Sequence, residues 1–129
     1  MKTKPSSDIA FTASVKSMQS RRGSREAYAR MEARGGFQTK ITPELIAFLT
    51  DVDTAYLATT NAAGQPYVQH RGGPKGFICA LGETTLGFAD YAGNRQYITL
   101  GNLAENDQAF LFLMDYAHRR RLTRQYRAF

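Results

Sequence analysis

The sequence predicts a mainly β domain with helices (α+β). A helical N-terminal extension is followed by a small barrel of antiparallel strands. Residues 7–34 combine helical spacing of apolar side chains with strong helix formers, and from Thr54 onward the pattern changes to short β-type segments. Short turns join these segments, which antiparallel strands allow and parallel strands do not. We therefore expect an extension over residues 1–36 and a barrel domain over residues 37–129.

Length and composition restrict the class of protein. The 129 residues suffice for one domain, and 43% hydrophobic with 22% charged residues is ordinary for a globular chain. The lone cysteine, Cys79, excludes a disulfide scaffold and a cysteine-rich zinc site. The longest apolar run, residues 109–114, is too short to cross a membrane, and the first residues lack the apolar core of a signal peptide. These features predict a soluble, cytoplasmic protein.

Charge is distributed unevenly along the chain. Residues 1–36 hold eight Lys or Arg and three Asp or Glu, a net of +5, and residues 118–129 hold five Arg and no acid. The middle, residues 37–117, has four bases and eight acids, a net of −4. A protein that binds nucleic acid along a surface usually spreads its bases over the folded face. The few bases of the middle segment favour a small phosphate site over a polyanion surface.

Three helices are predicted before the strands. The first runs from Ser7 to Gln19, with Ser7 or Asp8 as its cap, and ends before Gly23. The second covers residues 25–34, where Ala, Glu and Arg predominate, and its few large apolar residues place it at the surface or against a partner. The third has the clearest start, with Thr42 as N-cap and Pro43 at the first helical position.

Five strands and one inserted helix follow. We expect the helix to begin at Asn94 and to continue through Leu100. The arginine-rich tail, residues 118–129, either begins a sixth strand or frays. The five predicted strands cover residues 55–60, 66–70, 76–81, 85–90 and 108–115.

The segment from Gln69 to Phe77 is the first candidate site. Its glycines and proline allow a sharp turn and close approach of a ligand to the backbone, and two bases, Arg71 and Lys75, flank them. It is not a nucleotide P-loop, because Gly76 follows the lysine. The pattern fits an anion- or cofactor-binding strand edge and, equally, a tight hairpin with two solvated bases.

The segment from Asp90 to Gln96 is the second candidate. If Asn94 begins a helix, free backbone N–H groups and the positive end of the helix dipole favour a phosphate there, and Arg95 supplies a planar fork of donors. The alternative is a capped helix with an exposed arginine.

Nucleophilic and metal chemistry have little support. Neither His70 nor His118 belongs to a recognisable catalytic arrangement, and no metal-ligand spacing is present. His70 is expected to be a hydrogen-bonded structural residue rather than a general base. Cys79, within an apolar segment, is expected to be an inert core thiol.

The two candidate motifs together carry a resemblance. The order strand, Arg-Gly-Gly-Pro-Lys-Gly-Phe, strand, Phe-Ala-Asp-Tyr-Ala-Gly-Asn-Arg-Gln, helix, apolar strand resembles the pyridoxamine 5′-phosphate oxidase-related FMN-binding proteins, in particular their predicted flavin-nucleotide-binding branch. The resemblance extends from Ser7 to Arg121. It implies an FMN-binding split β-barrel that forms a homodimer with FMN at the subunit interface, and it implies further strands beyond residue 129, so the barrel is expected to be incomplete at the C-terminus.

The resemblance also implies roles for individual residues. Lys75, before Gly-Phe, matches the family's flavin-contacting lysine, and the preceding base falls on His70 or Arg71. The family's phosphate-binding Arg-Lys pair falls on Arg95 and Gln96, where the amide brings no charge. The residues implied to bind FMN are Gln69, His70, Arg71, Gly72, Gly73, Pro74, Lys75, Phe88, Ala89, Asn94, Arg95 and Gln96.

The function expected from the resemblance is a flavin-dependent oxidoreductase whose substrate the sequence leaves open. No set of residues for a substrate phosphate is recognisable. A deazaflavin in place of FMN is one alternative. The other is a non-enzymatic module that binds an anionic partner such as nucleic acid through the arginine-rich termini.

Overall fold

The computed structural model describes residues 3–90 and 95–127. The chain divides into two compact units, Met1–Lys40 and Ile41–Phe129, here called unit 1 and unit 2. The described residues form four α-helices and six strands: α1 Ala13–Arg22, α2 Arg25–Ala33, α3 Pro43–Leu49, β1 Thr54–Thr60, β2 Pro66–Gly72, β3 Cys79–Ala80, β4 Leu86–Gly87, α4 Ile98–Glu105, β5 Gln108–Asp115 and β6 Arg120–Arg127. No helix within these residues is long and apolar enough to cross a membrane.

Unit 1 consists of a 3-10 turn and two helices. The predicted start of the first helix was wrong: Ser6–Ile9 form the 3-10 turn, and α1 begins only after Thr12. The Thr12 hydroxyl accepts a hydrogen bond from the Val15 N–H at 3.3 Å and so caps the helix. Gly23, with φ of 82°, ends α1 in the left-handed conformation that glycine adopts at low cost.

Ion pairs join α1 and α2. The Lys16 ammonium lies 2.9 Å from an Asp8 carboxylate oxygen and 3.5 Å from Glu32, and Arg25 pairs with the same Glu32. Phe11 adds an edge-to-face contact with Tyr28, with ring centroids 5.3 Å apart. Since α2 has no buried residue, these contacts hold unit 1 together in place of a large apolar core.

Unit 2 is organised around a four-stranded antiparallel sheet with the order β2-β1-β5-β6. The central residue Leu57 of β1 pairs with Gln69 on one side and Leu111 on the other. The short strands β3 and β4 form a separate hairpin. The predicted α+β class and antiparallel pairing are confirmed, the tail forms a sixth strand, and the strands that the structure describes do not close into a barrel.

The two faces of the sheet differ, because successive side chains of a strand point to opposite sides. One face, here called the core face, carries Ala55 and Leu57 of β1 and Leu113 of β5, and α3 covers it. The other face, here called the open face, carries the side chains that alternate with these along each strand. The predicted cap of α3 is confirmed, since the Thr42 hydroxyl accepts from the Leu45 N–H at 3.1 Å. The buried apolar core consists of Leu45, Phe48, Leu49, Val52, Ala55, Leu57, Ile78, Ala109, Leu111 and Leu113.

The hairpin β3–β4 is shorter than predicted. The expected strands 76–81 and 85–90 pair over only two residues each, because Phe77 and Phe88 pack against the core instead of continuing the ladder. Cys79 is exposed, so its assignment as a core thiol was wrong. Its neighbour Ile78, 2% exposed, takes the buried position, and the alternation of the chain turns the thiol outward.

Helix α4 begins later than predicted. Its first residue is Ile98, and Tyr97 occupies the N-cap position without a capping side chain. Arg95 and Tyr97 have φ of 60° and 55°, a left-handed conformation that does not continue a right-handed helix. The predicted cap, Asn94, lies outside the described residues.

Candidate functional site

Arg71 connects the two sequence motifs. It lies on β2 opposite the fully buried Ala55, which places its side chain on the core face, and that side chain is only 16% exposed. Its guanidinium Nη1 pairs with the carboxylate of Asp90. The Nε atom of Arg71 is buried and has no hydrogen-bond partner within residues 3–90 and 95–127. A half-buried guanidinium with an unused donor is well suited to bind an anion.

A second contact joins β2 to the start of α4. The buried Thr99 hydroxyl donates a hydrogen bond to the side-chain oxygen of Gln69 at 2.9 Å. Gln69 and Arg71 are two residues apart and therefore share the core face. The chain from Asp90 to Thr99 is thus tied to β2 at both ends, and Arg95 lies within it.

The glycine-rich segment forms a tight turn anchored on the loop after α3. The Gly73 N–H donates to the Asp53 carbonyl at 3.2 Å, and the Gly76 N–H donates to the Val52 carbonyl at 3.0 Å. A Cβ on Gly73 would lie 2.9 Å from the Phe77 side chain. The group that comes close to Gly73 is the ring of Phe77. Packing within the chain therefore explains why position 73 requires glycine, without a ligand.

The aromatic residues next to the two motifs pack together. Phe77 and Phe88 make an edge-to-face contact with centroids 6.3 Å apart, and both lie against the core. This contact holds the segment carrying Ala89 and Asp90 near the glycine-rich turn. Ala89 itself is exposed.

The remaining predicted site residues lie at the surface. Lys75 is exposed in the turn, with Pro74 beside it, and Gly72 is the exposed last residue of β2. Arg95 and Gln96 are exposed and precede α4 rather than belonging to it. Within residues 3–90 and 95–127, neither Lys75 nor Arg95 makes a hydrogen bond or ion pair, so both charges are available to a ligand.

His70 is on the opposite side of the sheet from Arg71. It is exposed on the open face, where its ring meets Tyr56 edge-on with centroids 5.5 Å apart. His70 was expected to be a hydrogen-bonded structural residue. Among the described residues it makes this ring contact and no hydrogen bond. The two candidates for the first basic residue of the motif are therefore separated by the sheet.

Two tyrosines meet at the edge of the same face. The hydroxyls of Tyr56 and Tyr116 lie 2.8 Å apart. This hydrogen bond, with some burial, raises the pKa of Tyr116 above its usual value of 10.0. The Tyr116 phenol is therefore neutral at physiological pH, and the pair forms a hydrogen-bonded bridge from β1 to the turn after β5.

A buried carboxylate lies at the end of β5. Asp115, whose side chain is 2% exposed, accepts hydrogen bonds from Arg120 at 2.7 Å and from the His118 ring at 2.8 Å. Asp51, Asp115 and His118 hold potential metal-ligand atoms within 4.8 Å of one another. However, the Arg120 guanidinium contacts both carboxylates and lies 5.3 Å above the Phe48 ring. Arg120 supplies the positive charge, so the group forms an ion-pair network.

The structure adds two contacts that the sequence did not predict. Asp90 and Thr99 contact Arg71 and Gln69 from 19 and 30 residues away. The alternation of β2 was the available signal, because it places positions 69 and 71 on the side that other elements cover. It does not identify the residues that meet them.

Comparison with known proteins identifies one family. The family model described as pyridoxamine 5′-phosphate oxidase matches residues 41–128, which is more than half of the chain and nearly all of unit 2. Comparisons with curated proteins and with solved structures give no significant match.

Proposed function

Because the chain belongs to the pyridoxamine 5′-phosphate oxidase family, we propose that it binds FMN and acts as a flavin-dependent oxidoreductase. The observation that carries this proposal is the largely buried Arg71 guanidinium, which among the described residues has one ion-pair partner and a buried donor, Nε, without one. A phosphate ester is the anion that this family's cofactor would present to it. The substrate is left open.

The residues around Arg71 fit a flavin phosphate. Arg71, Lys75 and Arg95 would supply three positive charges against a dianionic group. Asp90 reduces that excess, and Gln96 contributes an amide donor without charge. The other proposed contacts come from Gln69 to Pro74 on the strand and turn, from Phe88 and Ala89, and from Asn94, which lies outside the described residues.

The chemistry would belong to the cofactor. When bound, FMN supplies an isoalloxazine ring that accepts a hydride and passes electrons to oxygen or another acceptor. The protein's own residues would bind the phosphate and hold the ring beside β2. Such a role requires no general base on the protein, which agrees with the absence of a catalytic arrangement in the sequence.

A visible spectrum and an FMN titration test this proposal. The purified protein should either carry flavin absorbance or take up added FMN with quenching of its fluorescence. Lys75→Ala combined with Arg95→Ala should weaken FMN binding by about tenfold, because exposed, solvent-screened charges contribute modestly. The spectrum of extracted cofactor separates FMN from a deazaflavin.

The charge-matched control is Arg21→Ala with Arg22→Ala, which removes two exposed arginines from unit 1. It should leave FMN affinity unchanged. Colourless protein that takes up no added FMN would contradict the proposal.

We also propose that the chain forms a homodimer through the open face of the sheet. Val68, 61% exposed, and Phe110, 41% exposed, flank Ala58 in one row across three strands. Tyr56 and Phe112 continue this apolar area in the next row, with ring centroids 6.3 Å apart. A contiguous exposed apolar area on a sheet is typical of a protein interface. In this family's arrangement, FMN would lie at the interface; since β2 is an edge strand of the sheet, a flavin whose phosphate is bound by Arg71 on the core face would reach the interface around that edge.

Val68→Glu should convert the dimer to a monomer, because it places a charge within the proposed interface, where desolvation is costly. Mass in solution, measured by light scattering, checks this. Leu81→Glu is the matched control, since Leu81 is 70% exposed in the β3–β4 turn and away from the open face. Wild-type protein that is monomeric at tens of micromolar would contradict the proposal.

The alternative role, binding of an anionic partner such as nucleic acid through the arginine-rich ends, has less support. Arg120 is committed to Asp115 and Asp51, and Arg124 lies on the core side of β6, opposite the buried Leu111. In unit 1, Arg25 and Arg30 pair with glutamates. The clusters therefore offer fewer available charges than the sequence suggests.

A further inference from the structure

We propose that Asp90 is an internal competitor for the ligand's phosphate. Its carboxylate holds the Arg71 guanidinium in the ligand-free protein and releases it when a phosphate-bearing ligand binds. This inference rests on the proposed function, since it takes Arg71 as the residue that binds the flavin phosphate.

The two side chains of the ion pair differ in burial. The Arg71 side chain is 16% exposed and lies on the core face of a strand, whereas the Asp90 side chain is 45% exposed. A charge buried to this extent requires a counter-charge. Asp90 is the only acid that contacts Arg71 among the described residues. The exposed partner is the one that a soluble anion can replace without disturbing the sheet.

The pairing also leaves the guanidinium incompletely satisfied. Asp90 accepts a hydrogen bond from Nη1, and the buried Nε has no hydrogen-bond partner in the part of the chain that the structure describes. Guanidinium groups bind carboxylates and phosphates most strongly through two parallel hydrogen bonds, which this pair does not make. A phosphate has more acceptor oxygens than the carboxylate and more charge, so it can displace Asp90 where an uncharged ligand cannot.

The consequence depends on the ligand. A phosphate-bearing ligand must break the Arg71–Asp90 ion pair and replace it, whereas a neutral ligand leaves the pair intact, so Asp90 weakens binding of a dianionic phosphate tail and not of a neutral one. Riboflavin, which carries the same ring as FMN without the phosphate, is the matched ligand that tests this.

The experiment measures dissociation constants of FMN and riboflavin for the wild type and Asp90→Asn by quenching of flavin fluorescence. Asp90→Asn should tighten FMN binding by about tenfold, because the competing charge is gone and the amide still accepts a hydrogen bond. Riboflavin affinity should change by less than about twofold. In the Arg71→Ala background, Asp90→Asn should give no gain.

Asp107→Asn is the control for net charge. Asp107 is exposed at the start of β5, at the opposite end of the sheet from Arg71. It should leave both affinities unchanged. Thermal melts followed by circular dichroism verify folding, and Asp90→Ala provides a second variant if the asparagine variant does not fold.

The outcomes separate the two proposals. If FMN binds in an Arg71-dependent way and the Asp90 variants bind it equally or more weakly, Asp90 positions Arg71 and the competitor role is wrong. Equal tightening of FMN and riboflavin would overturn it as well. If neither the wild type nor the Asp90 variants bind FMN, the proposed function itself fails.

Discussion

Arg71→Ala is expected to raise the dissociation constant of FMN by roughly 30-fold or more. Truncating one partner of a largely desolvated charge pair typically costs about 2–5 kcal/mol, and each 1.4 kcal/mol is a factor of ten. Arg71 is the most buried of the three proposed phosphate-binding cations, since Lys75 and Arg95 are exposed. Titration of FMN with fluorescence detection measures the loss.

Two further variants sharpen this prediction. Arg71→Lys keeps the charge but loses the planar fork of donors, so it should recover only part of the affinity. Arg121→Ala removes an exposed arginine of β6 and should have no effect on FMN binding.

His70→Ala tests the competing assignment of the first basic residue. His70 and Arg71 are adjacent in sequence, but the strand places them on opposite faces of the sheet. A loss of FMN binding in His70→Ala, with Arg71→Ala unaffected, would move the phosphate site to the open face.

The sequence predicted the elements that have local signals. Thr42 and Pro43 marked the start of α3, and the change of period at Thr54 marked β1. The starts of α3 and β1 are determined by residues that are neighbours in the sequence, so they can be predicted without knowledge of the tertiary structure. The start of α4 was missed because the left-handed backbone at Arg95 and Tyr97, neither of them glycine, carries no composition signal.

The candidate site was predictable as a set of residue types but not as an arrangement. Arg71, Lys75 and Arg95 stood out because the middle of the chain has so few bases. The pairing of Arg71 with Asp90 depends on how β2, the β3–β4 hairpin and the chain before α4 pack. Such packing is determined by tertiary structure, and the spacing of 19 residues does not encode it.

The buried carboxylate of Asp115 makes the stability of unit 2 sensitive to acid. The Arg120 guanidinium, with help from His118 and against the effect of burial, lowers the pKa of Asp115 from its usual 3.8 to about 2. A carboxyl group whose pKa is lower in the folded state stabilises the fold above its unfolded pKa and loses that contribution as pH falls through the folded value. We therefore expect the melting temperature to fall between about pH 4 and pH 2.

Arg120→Ala is expected to lower the melting temperature at neutral pH more than alanine at any other exposed arginine, since it leaves the 2%-exposed Asp115 carboxylate without its guanidinium partner. It also removes the cation over the Phe48 ring. Arg120→Lys keeps a charge but replaces a three-point contact with a single ammonium, so it should lie between wild type and alanine. Calorimetric or circular dichroism melts measure the order.

Asp115→Asn isolates the cause of the acid sensitivity. The amide keeps the size of the side chain but does not titrate, so the variant should be less stable at pH 7 and its melting temperature should change less between pH 4 and pH 2 than that of the wild type. Asp107→Asn, at an exposed carboxyl group of the same unit, should retain the wild-type acid dependence. If Asp115→Asn retained it too, other carboxyl groups would be responsible, and the ion-pair network at the end of β5 would be a minor contributor to the stability of the sheet.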